Sequence, residues 1–386
     1  MTGVLGPGST IGILGAGQLG RMLAVSARQM GYRIAVFGGG KDSPAGQVSD
    51  LAWPGAFGDE DKLREFARAC DVVTYEFENI PSHAAESIER HTGLCPGVRL
   101  LQTAQNRFAE KTALDSIGLP TAGFCMVASA DELATARADF GGSVILKANT
   151  DGYDGKGQWS VMPTDDVESL WSEAGLSEGI VEERIDFDFE LSIVAGRYAD
   201  GTTVFFDPLL NHHANHILDV SVSAAPPVTE SVARDAVEMA RAVLEYFEVV
   251  GVLCIELFLT TSGRLVVNEI APRPHNSGHL TIEAYYCSQF ELQLRAICGL
   301  PSVPLVRRSA AAAMANLLGQ HMPAAWSSEN MSALVTPGCN LHLYGKPGSR
   351  TNRKMGHITM TGGDPVIVER EVRLAREALL RSSQAE

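Results

Sequence analysis

The sequence has no Cys-x-x-Cys pair, and its seven cysteines are scattered along 386 residues. An odd number of dispersed thiols argues against a disulfide frame or a zinc site and predicts free thiols in a reducing compartment, the cytoplasm. Positive charge is scarce: 31 Lys and Arg stand against 46 Asp and Glu, a net charge of −15. That balance predicts no nucleic-acid partner, favours solubility and makes any basic cluster conspicuous. No uncharged apolar run approaches the roughly 20 residues needed to cross a bilayer, so no membrane partner is expected. The first positive side chain is Arg21, so the start lacks the basic stretch that opens a signal peptide. No Gly-Lys-Ser/Thr triplet opens a helix, which excludes a Walker A loop.

What is present reads as an ordinary globular enzyme, 45% hydrophobic and 20% charged, long enough for two or three domains. The most informative stretch is Cys254-Ile255-Glu256-Leu257-Phe258 followed by Val267-Asn268-Glu269-Ile270-Ala271-Pro272-Arg273. Residues 252–259 and 265–270 read as strands joined by a turn at Thr261-Ser262-Gly263-Arg264. A symmetric hairpin sets Glu256 opposite Glu269 on one face. Two half-buried carboxylates about 5 Å apart repel by roughly 3 kcal/mol at an effective dielectric of 20. A divalent cation between them removes that cost, and oxygen ligands suit Mg2+, which also takes oxygens from substrate phosphates.

A second stretch belongs with it. Residues 143–147 read as a buried strand ending in Lys147, and glycines follow at 152, 155 and 157. Such glycines let backbone N–H groups approach an anion, while Lys147 offers a point charge to a phosphate. Together the two stretches predict an ATP site between two small sheets.

The start of the chain reads as strand (10–15), glycine turn and helix (18–30), then strand (33–37), as in dinucleotide folds. The second strand ends in Phe37-Gly38-Gly39-Gly40, with no acid to hold a ribose, so NAD is not expected. A strand over 71–76 ends in Glu76, a place for a ligand group in a parallel sheet. Helices are expected over 106–117, with Arg107 and Lys111 on it, over 229–247, and over 372–380. The Ala-rich stretch 310–318 reads equally as strand or helix. Residues 346–354 carry Lys346, Arg350, Arg353 and Lys354, an anion subsite in so acidic a chain.

Gly15-Ala16-Gly17-Gln18-Leu19-Gly20-Arg21-Met22, Tyr75 to Ile80, Asp151 to Trp159, Asn268 to His279, Ser288-Gln289-Phe290-Glu291 and Arg353-Lys354-Met355-Gly356-His357 carry a resemblance. The chain resembles the ATP-grasp superfamily and, within it, the 5-(carboxyamino)imidazole ribonucleotide synthases. The resemblance implies an α/β ATP-grasp fold. A Rossmann-like pre-ATP-grasp domain would span 1–105, the two-part ATP-grasp region 106–300 with a mobile lid over 124–186, and a small C-terminal β-rich unit 301–386. It implies a homodimeric ligase using ATP, Mg2+, bicarbonate and aminoimidazole ribonucleotide. For ATP it implies Arg107, Lys147, the loop Gly152, Tyr153, Asp154, Gly155, Lys156, Gly157 and Gln158, the adenine hinge Glu182, Glu183, Arg184 and Ile185, then Glu190, His213, Asn268 and Glu269. For the imidazole nucleotide it implies Gln18, Leu19, Glu76, Lys346, Arg353 and Lys354. Arg273, His275, Asn276, Ser277 and Gly278 directly follow the metal hairpin and would face bicarbonate. Tyr153, Asp154, Arg273 and Lys354 are the expected catalytic residues, Asp154 orienting or deprotonating the amine.

Departures from the family pattern are Asn149 for a common arginine, Asp151 for a glycine, and Leu210 and His216 for a glutamate and a glycine. Two other readings fit parts of the same sequence: a formate-dependent glycinamide ribonucleotide transformylase, and a nucleotide-binding regulator without turnover.

Overall fold

The computed structural model describes residues 3–381 apart from 151, 153–156, 324–325 and 333. Among these residues the strands form three sheets. The first is parallel, with β1 (Thr10–Leu14), β2 (Arg33–Phe37), β3 (Leu51–Trp53), β4 (Val72–Tyr75) and β5 (Gly93–Leu94) in the order β3-β2-β1-β4-β5. Every residue of β1 and β4 is buried, as parallel strands covered on both faces require. The order reverses at β1, whose neighbours are β2 and β4. The crevice beyond the ends of β1 and β4 is therefore a topological switch point, where such sheets bind ligands. The Gly15–Gly17 turn and Glu76 sit there.

The second sheet is antiparallel: β6 (Phe124–Val127), β7 (Val144–Lys147), β8 (Gln158–Val161) and β9 (Gly179–Glu183), ordered β6-β9-β7-β8. Three residues after β9 the chain enters the third sheet. This contains β10 (Phe187–Arg197), β11 (Thr203–Phe205), β12 (Leu209–Ala214), β13 (Ile217–Ser223), β14 (Gly251–Thr260), β15 (Leu265–Ala271), β16 (Ala311–Leu318), β17 (Cys339–Leu343) and β18 (Lys354–Gly362). Its path is β15-β14-β10-β12-β13-β16-β18-β17, with β11 beside β10. The C-terminal strands thus continue the central sheet through the β13–β16 pairing and make no separate sheet.

The Ala-rich stretch is strand β16, with all eight residues buried. Alanine prefers helix by propensity, but here β13 and β18 offer a ladder on both edges. Small side chains also let the helix Pro365–Arg381 pack closely on it. That helix begins earlier than expected because Asp364 caps it: its Oδ1 accepts from the N–H of Val366 (2.9 Å) and Ile367 (3.0 Å), with Pro365 at the favoured first position. The helix Glu230–Tyr246 presents Val232, Ala236, Ala240 and Val243 to the main core, capped by the Thr229 hydroxyl. Met239 is only partly buried against it.

Candidate functional site

A cavity of about 1140 Å³ is lined by residues of the second and third sheets and of the segments that follow β1 and β4 in the first. Its acidic edge is the β14–β15 hairpin. The ladder pairs Leu259 with Leu265, Phe258 with Val266 and Leu257 with Val267, and then shifts by one residue. Asn268 is the extra residue, so Glu256 pairs with Glu269 and both carboxylates share one face. Without this bulge Glu256 would oppose Asn268. Bulges of this kind re-aim side chains beside active sites.

Each carboxylate has a cationic neighbour. Glu256 Oε1 lies 3.2 Å from His275 Nε2, and Glu269 Oε2 lies 3.2 Å from Arg107 Nη1. Burial pushes the Glu256 carboxyl up, but the His275 hydrogen bond and charge hold it well below the usual range. Burial likewise pushes the His275 imidazole down, and Cys254 and Glu256 beside it reverse that to a raised value. Among the described residues no group of three or more His, Cys, Asp or Glu side chains forms a cage for a metal ion. A cation on Glu256 and Glu269 would need further oxygens from a substrate, which fits Mg2+ better than a structural metal.

Next to this edge lies a buried charge network. Lys147, at the end of β7, places Nζ 2.9 Å from Glu182 Oε2, and Lys111 Nζ reaches the same oxygen at 3.3 Å. Burial pushes Glu182 up, and the two ammoniums more than reverse it, to about 2. Burial lowers Lys147 despite Glu182. Glu182, expected in an adenine hinge, is 3% exposed, and its carboxylate balances two lysines. Glu182, Glu183, Arg184 and Ile185 all line the cavity, as do Gly152 and Gln158. Gly157 has φ +69° and its carbonyl accepts from Ala148 N–H (2.8 Å). Tyr153, Asp154, Gly155 and Lys156 lie outside the described residues. Beyond the hinge, His213 Nδ1 is 2.8 Å from Glu190 Oε2, and both line the cavity. The turn after His213 has Asn215 and His216 at φ 50° and 63°, so His216 occupies a left-handed position that glycine would adopt without strain.

At the switch point Gln18, Leu19 and Glu76 line the cavity. Glu76 accepts from Gly17 N–H (2.5 Å) and Gly20 N–H (2.9 Å), holding the glycine turn at the helix start. A Cβ on Gly17 would lie 2.6 Å from the Glu76 carboxylate, so the close approach requires glycine. Arg273 lines the cavity and donates through Nε to Glu78, a partner the sequence reading did not single out. Asn276 also lines it; the residue is 8% exposed, and neither polar atom of its side chain has a partner.

Four expected residues stand behind the wall. Ser277 is fully buried; its hydroxyl accepts from Ser192 (2.7 Å) and lies 2.9 Å from His275 Nδ1, so it orients that imidazole. Gly278 packs so closely on Gln289 that a Cβ would sit 2.4 Å from its amide oxygen. Of the basic cluster only Lys354 lines the cavity. Lys346 donates to the Lys354 carbonyl (2.7 Å), and Arg353 to the carbonyls of Pro347 (2.6 Å) and Gly348 (3.0 Å). Backbone acceptors in the turn itself capture these two side chains. Sequence reasoning also left Lys111 without a role, although its position one turn after Arg107 on the same helix face was a usable signal.

Family models match the ribonucleotide synthetase preATP-grasp domain over residues 8–105, the ATP-grasp domain over 112–290 and the phosphoribosylaminoimidazole carboxylase C-terminal domain over 312–371. The N5-carboxyaminoimidazole ribonucleotide synthase of Bacillus subtilis is 39% identical over 358 residues, which cover 92% of each chain. The bifunctional purine synthesis protein purC/E of Dictyostelium discoideum is 40% identical, and the chain spans 37% of that longer protein. Among solved structures, an ADP complex of purK, an N5-carboxyaminoimidazole ribonucleotide synthetase, superposes with a TM-score of 0.91 at 38% identity over 98% of both chains. The N5-carboxyaminoimidazole synthase of Aspergillus clavatus, in complex with ADP and 5-aminoimidazole ribonucleotide, gives 0.87 at 29% identity, covering 96% of this chain and 98% of that one.

Proposed function

The chain belongs to the N5-carboxyaminoimidazole ribonucleotide synthase family of ATP-dependent ligases, and on that premise we propose that it carboxylates the exocyclic amine of 5-aminoimidazole ribonucleotide with bicarbonate and ATP, a step of purine synthesis. The observation that carries the reading is one cavity holding a carboxylate pair, a lysine and an arginine at one end, followed by Arg273, His275 and the unpartnered amide of Asn276.

A bicarbonate oxygen attacks the γ-phosphorus of ATP as the bond to the β,γ-bridging oxygen breaks, giving carboxyphosphate and ADP. Such a transfer asks for positioning and charge neutralisation more than covalent chemistry. Lys147 and Arg107 supply fixed positive charge beside the phosphates. Mg2+, held by Glu256 and Glu269 with Asn268 alongside, would add a Lewis acid at the phosphate oxygens. Arg273, oriented by Glu78, and His275, oriented by Ser277, flank the space for bicarbonate. Carboxyphosphate then gives its carboxyl carbon to the amine nitrogen, releasing inorganic phosphate and a proton from the amine. Asp154, on the glycine loop, is the residue proposed to orient that amine and receive the proton. Gln18, Leu19, Glu76 and Lys354 hold the nucleotide, Lys354 toward its 5′-phosphate.

The free thiols of all seven cysteines suit a reducing cytoplasm. No helix among the described residues is long and apolar enough to cross a membrane. The homodimer implied by the family resemblance completes the proposal. ADP release measured with bicarbonate, with and without aminoimidazole ribonucleotide, tests it. Carboxylated nucleotide should form in step with ADP. Formate-dependent ADP release, or none with any carboxyl donor, would overturn it.

A further inference from the structure

The helix Arg107–Ser116 does more than present an arginine. β15 is the outermost strand on its side of the sheet, so its outward N–H and C=O groups need partners from elsewhere. The Pro120 carbonyl takes the N–H of Val267 (2.8 Å), and side chains of this helix supply partners for the groups at the bulge. Glu110 Oε1 accepts from Ile270 N–H at 2.6 Å. Lys111 Nζ donates to the Asn268 carbonyl at 2.7 Å and contacts the Val267 carbonyl at 3.4 Å. Arg107, one turn earlier, reaches the Glu269 carboxylate. Positions 107, 110 and 111 share one helix face, and together they grip residues 267–270 around the bulge.

Lys111 is the member with the greatest reach. It is 1% exposed. Its ammonium touches the bulged residue of β15 on one side and Glu182 of β9 on the other. Burying a lysine costs several kcal/mol unless its donors are satisfied. Here they are satisfied by the carbonyl of the residue that shifts the register and by the carboxylate that restrains Lys147. The helix itself is clamped at its start: Asn149 accepts from Arg107 N–H through its backbone (2.9 Å) and from Phe108 N–H through its side chain (3.0 Å).

We propose that Lys111 is a positioning residue for the metal-binding edge: by holding the Asn268 carbonyl it maintains the bulge that turns Glu269 to face Glu256, while its contact with Glu182 ties that edge to the lysine beside the phosphates. The proposal rests on the reading of Glu256 and Glu269 as Mg2+ ligands. Lys111 touches neither the metal nor the nucleotide in this scheme and acts through Asn268 and Glu182. In Lys111→Met, Glu182 keeps Lys147 as its partner, so no isolated buried charge remains. What is lost is the donor to the bulge and the second of the two cations on Glu182.

ADP binding to the full-length protein, measured by calorimetry with and without Mg2+, tests this. Wild type should bind ADP more tightly with Mg2+. In Lys111→Met that Mg2+-dependent gain should shrink about tenfold or more, as for loss of a group that orients a metal ligand. Metal-free ADP affinity and the KM for aminoimidazole ribonucleotide should stay within about twofold, since neither depends on the bulge. Lys111→Gln keeps a donor on a shorter arm and should fall between Met and wild type. Should the Met variant not fold, the Gln variant carries the test. An unchanged Mg2+ gain in the folded variant overturns the proposal. So does an equal loss of ADP affinity with and without Mg2+, which would make Lys111 a general packing residue. If wild type itself gains nothing from Mg2+, the metal reading fails first and this inference with it. If it gains while bicarbonate drives no ADP release, only the reaction assignment fails.

Discussion

The two cationic ends of the cavity are built in opposite ways. At the end proposed for the ATP phosphates Lys111, Lys147 and Glu182 are at most 7% exposed and share one carboxylate oxygen. Arg107 and Glu269 continue the chain of charges. At the end proposed for the nucleotide the cations sit on the turn 346–354. Lys346 and Arg353 are satisfied by backbone carbonyls of that turn, and Lys354 alone lines the cavity. A buried network has its geometry set by the fold before any ligand arrives, because removing the shared carboxylate leaves two ammoniums uncompensated. Cations on a half-exposed turn are screened by solvent, so the loss of any one of them costs less. The first design suits a group that must stabilise charge in a transition state; the second suits recognition of a phosphate.

The contrast can be broken first at Glu182. Glu182→Gln leaves Lys147 and Lys111 facing a neutral amide and should destabilise the fold by about 3 kcal/mol or more in urea unfolding. A loss near zero would show that the network is not a buried ion cluster. The pH dependence follows from the same residue. Its folded value of about 2 lies below the ordinary 4.5. The stability it contributes is therefore complete above about pH 4.5 and is lost as pH falls through about 2. Glu182→Gln should flatten this acid limb, and an unchanged limb assigns it to other carboxylates.

A smaller loss is expected at the metal edge. Glu269→Gln removes one anionic ligand and should cut turnover by about 100-fold, as for a preorganised charge-stabilising group. Near-normal kcat at saturating Mg2+ would sink the metal assignment. At the nucleotide end, Lys354→Ala should raise the KM for aminoimidazole ribonucleotide about tenfold, the worth of one charge-assisted contact. The KM for ATP should change little, and an equal rise in both would remove Lys354 from the phosphate subsite. Arg353→Ala should give the least effect, about threefold or less on the same KM, because the guanidinium is spent on the turn's own carbonyls. A loss matching that of Lys354→Ala would show that Arg353 leaves the turn to bind phosphate.

Much of this site was legible in residue order. The β14–β15 hairpin was readable because a four-residue turn brings apolar strands together locally, and its two glutamates stand out from them. The end of β7 at Lys147 and the end of β4 at Glu76 were readable for similar reasons. Glu182 was not, since a glutamate near a strand end looks like any surface acid until the lysines of another strand and a helix meet it. Lys346, Arg353 and Ser277 were placed toward ligand because charge and order reveal that a cation or hydroxyl is near a site, not which atom captures it.

Sequence alone settled the chemistry on offer: two carboxylates in apolar strands, a lysine before a glycine-rich loop, and a basic turn in a chain of net charge −15. These are local or compositional properties, decided by residue type and spacing. Only the tertiary structure decided the bulge at Asn268 through which Glu256 comes to pair with Glu269, the strand state of Ala311–Leu318, and the union of the C-terminal strands with the central sheet. Each depends on hydrogen-bonding partners supplied from distant parts of the chain, with Lys111 and Glu110 at the bulge and β13 and β18 beside β16. Backbone groups without a local partner take whatever the fold brings to them, and no window of sequence contains that information.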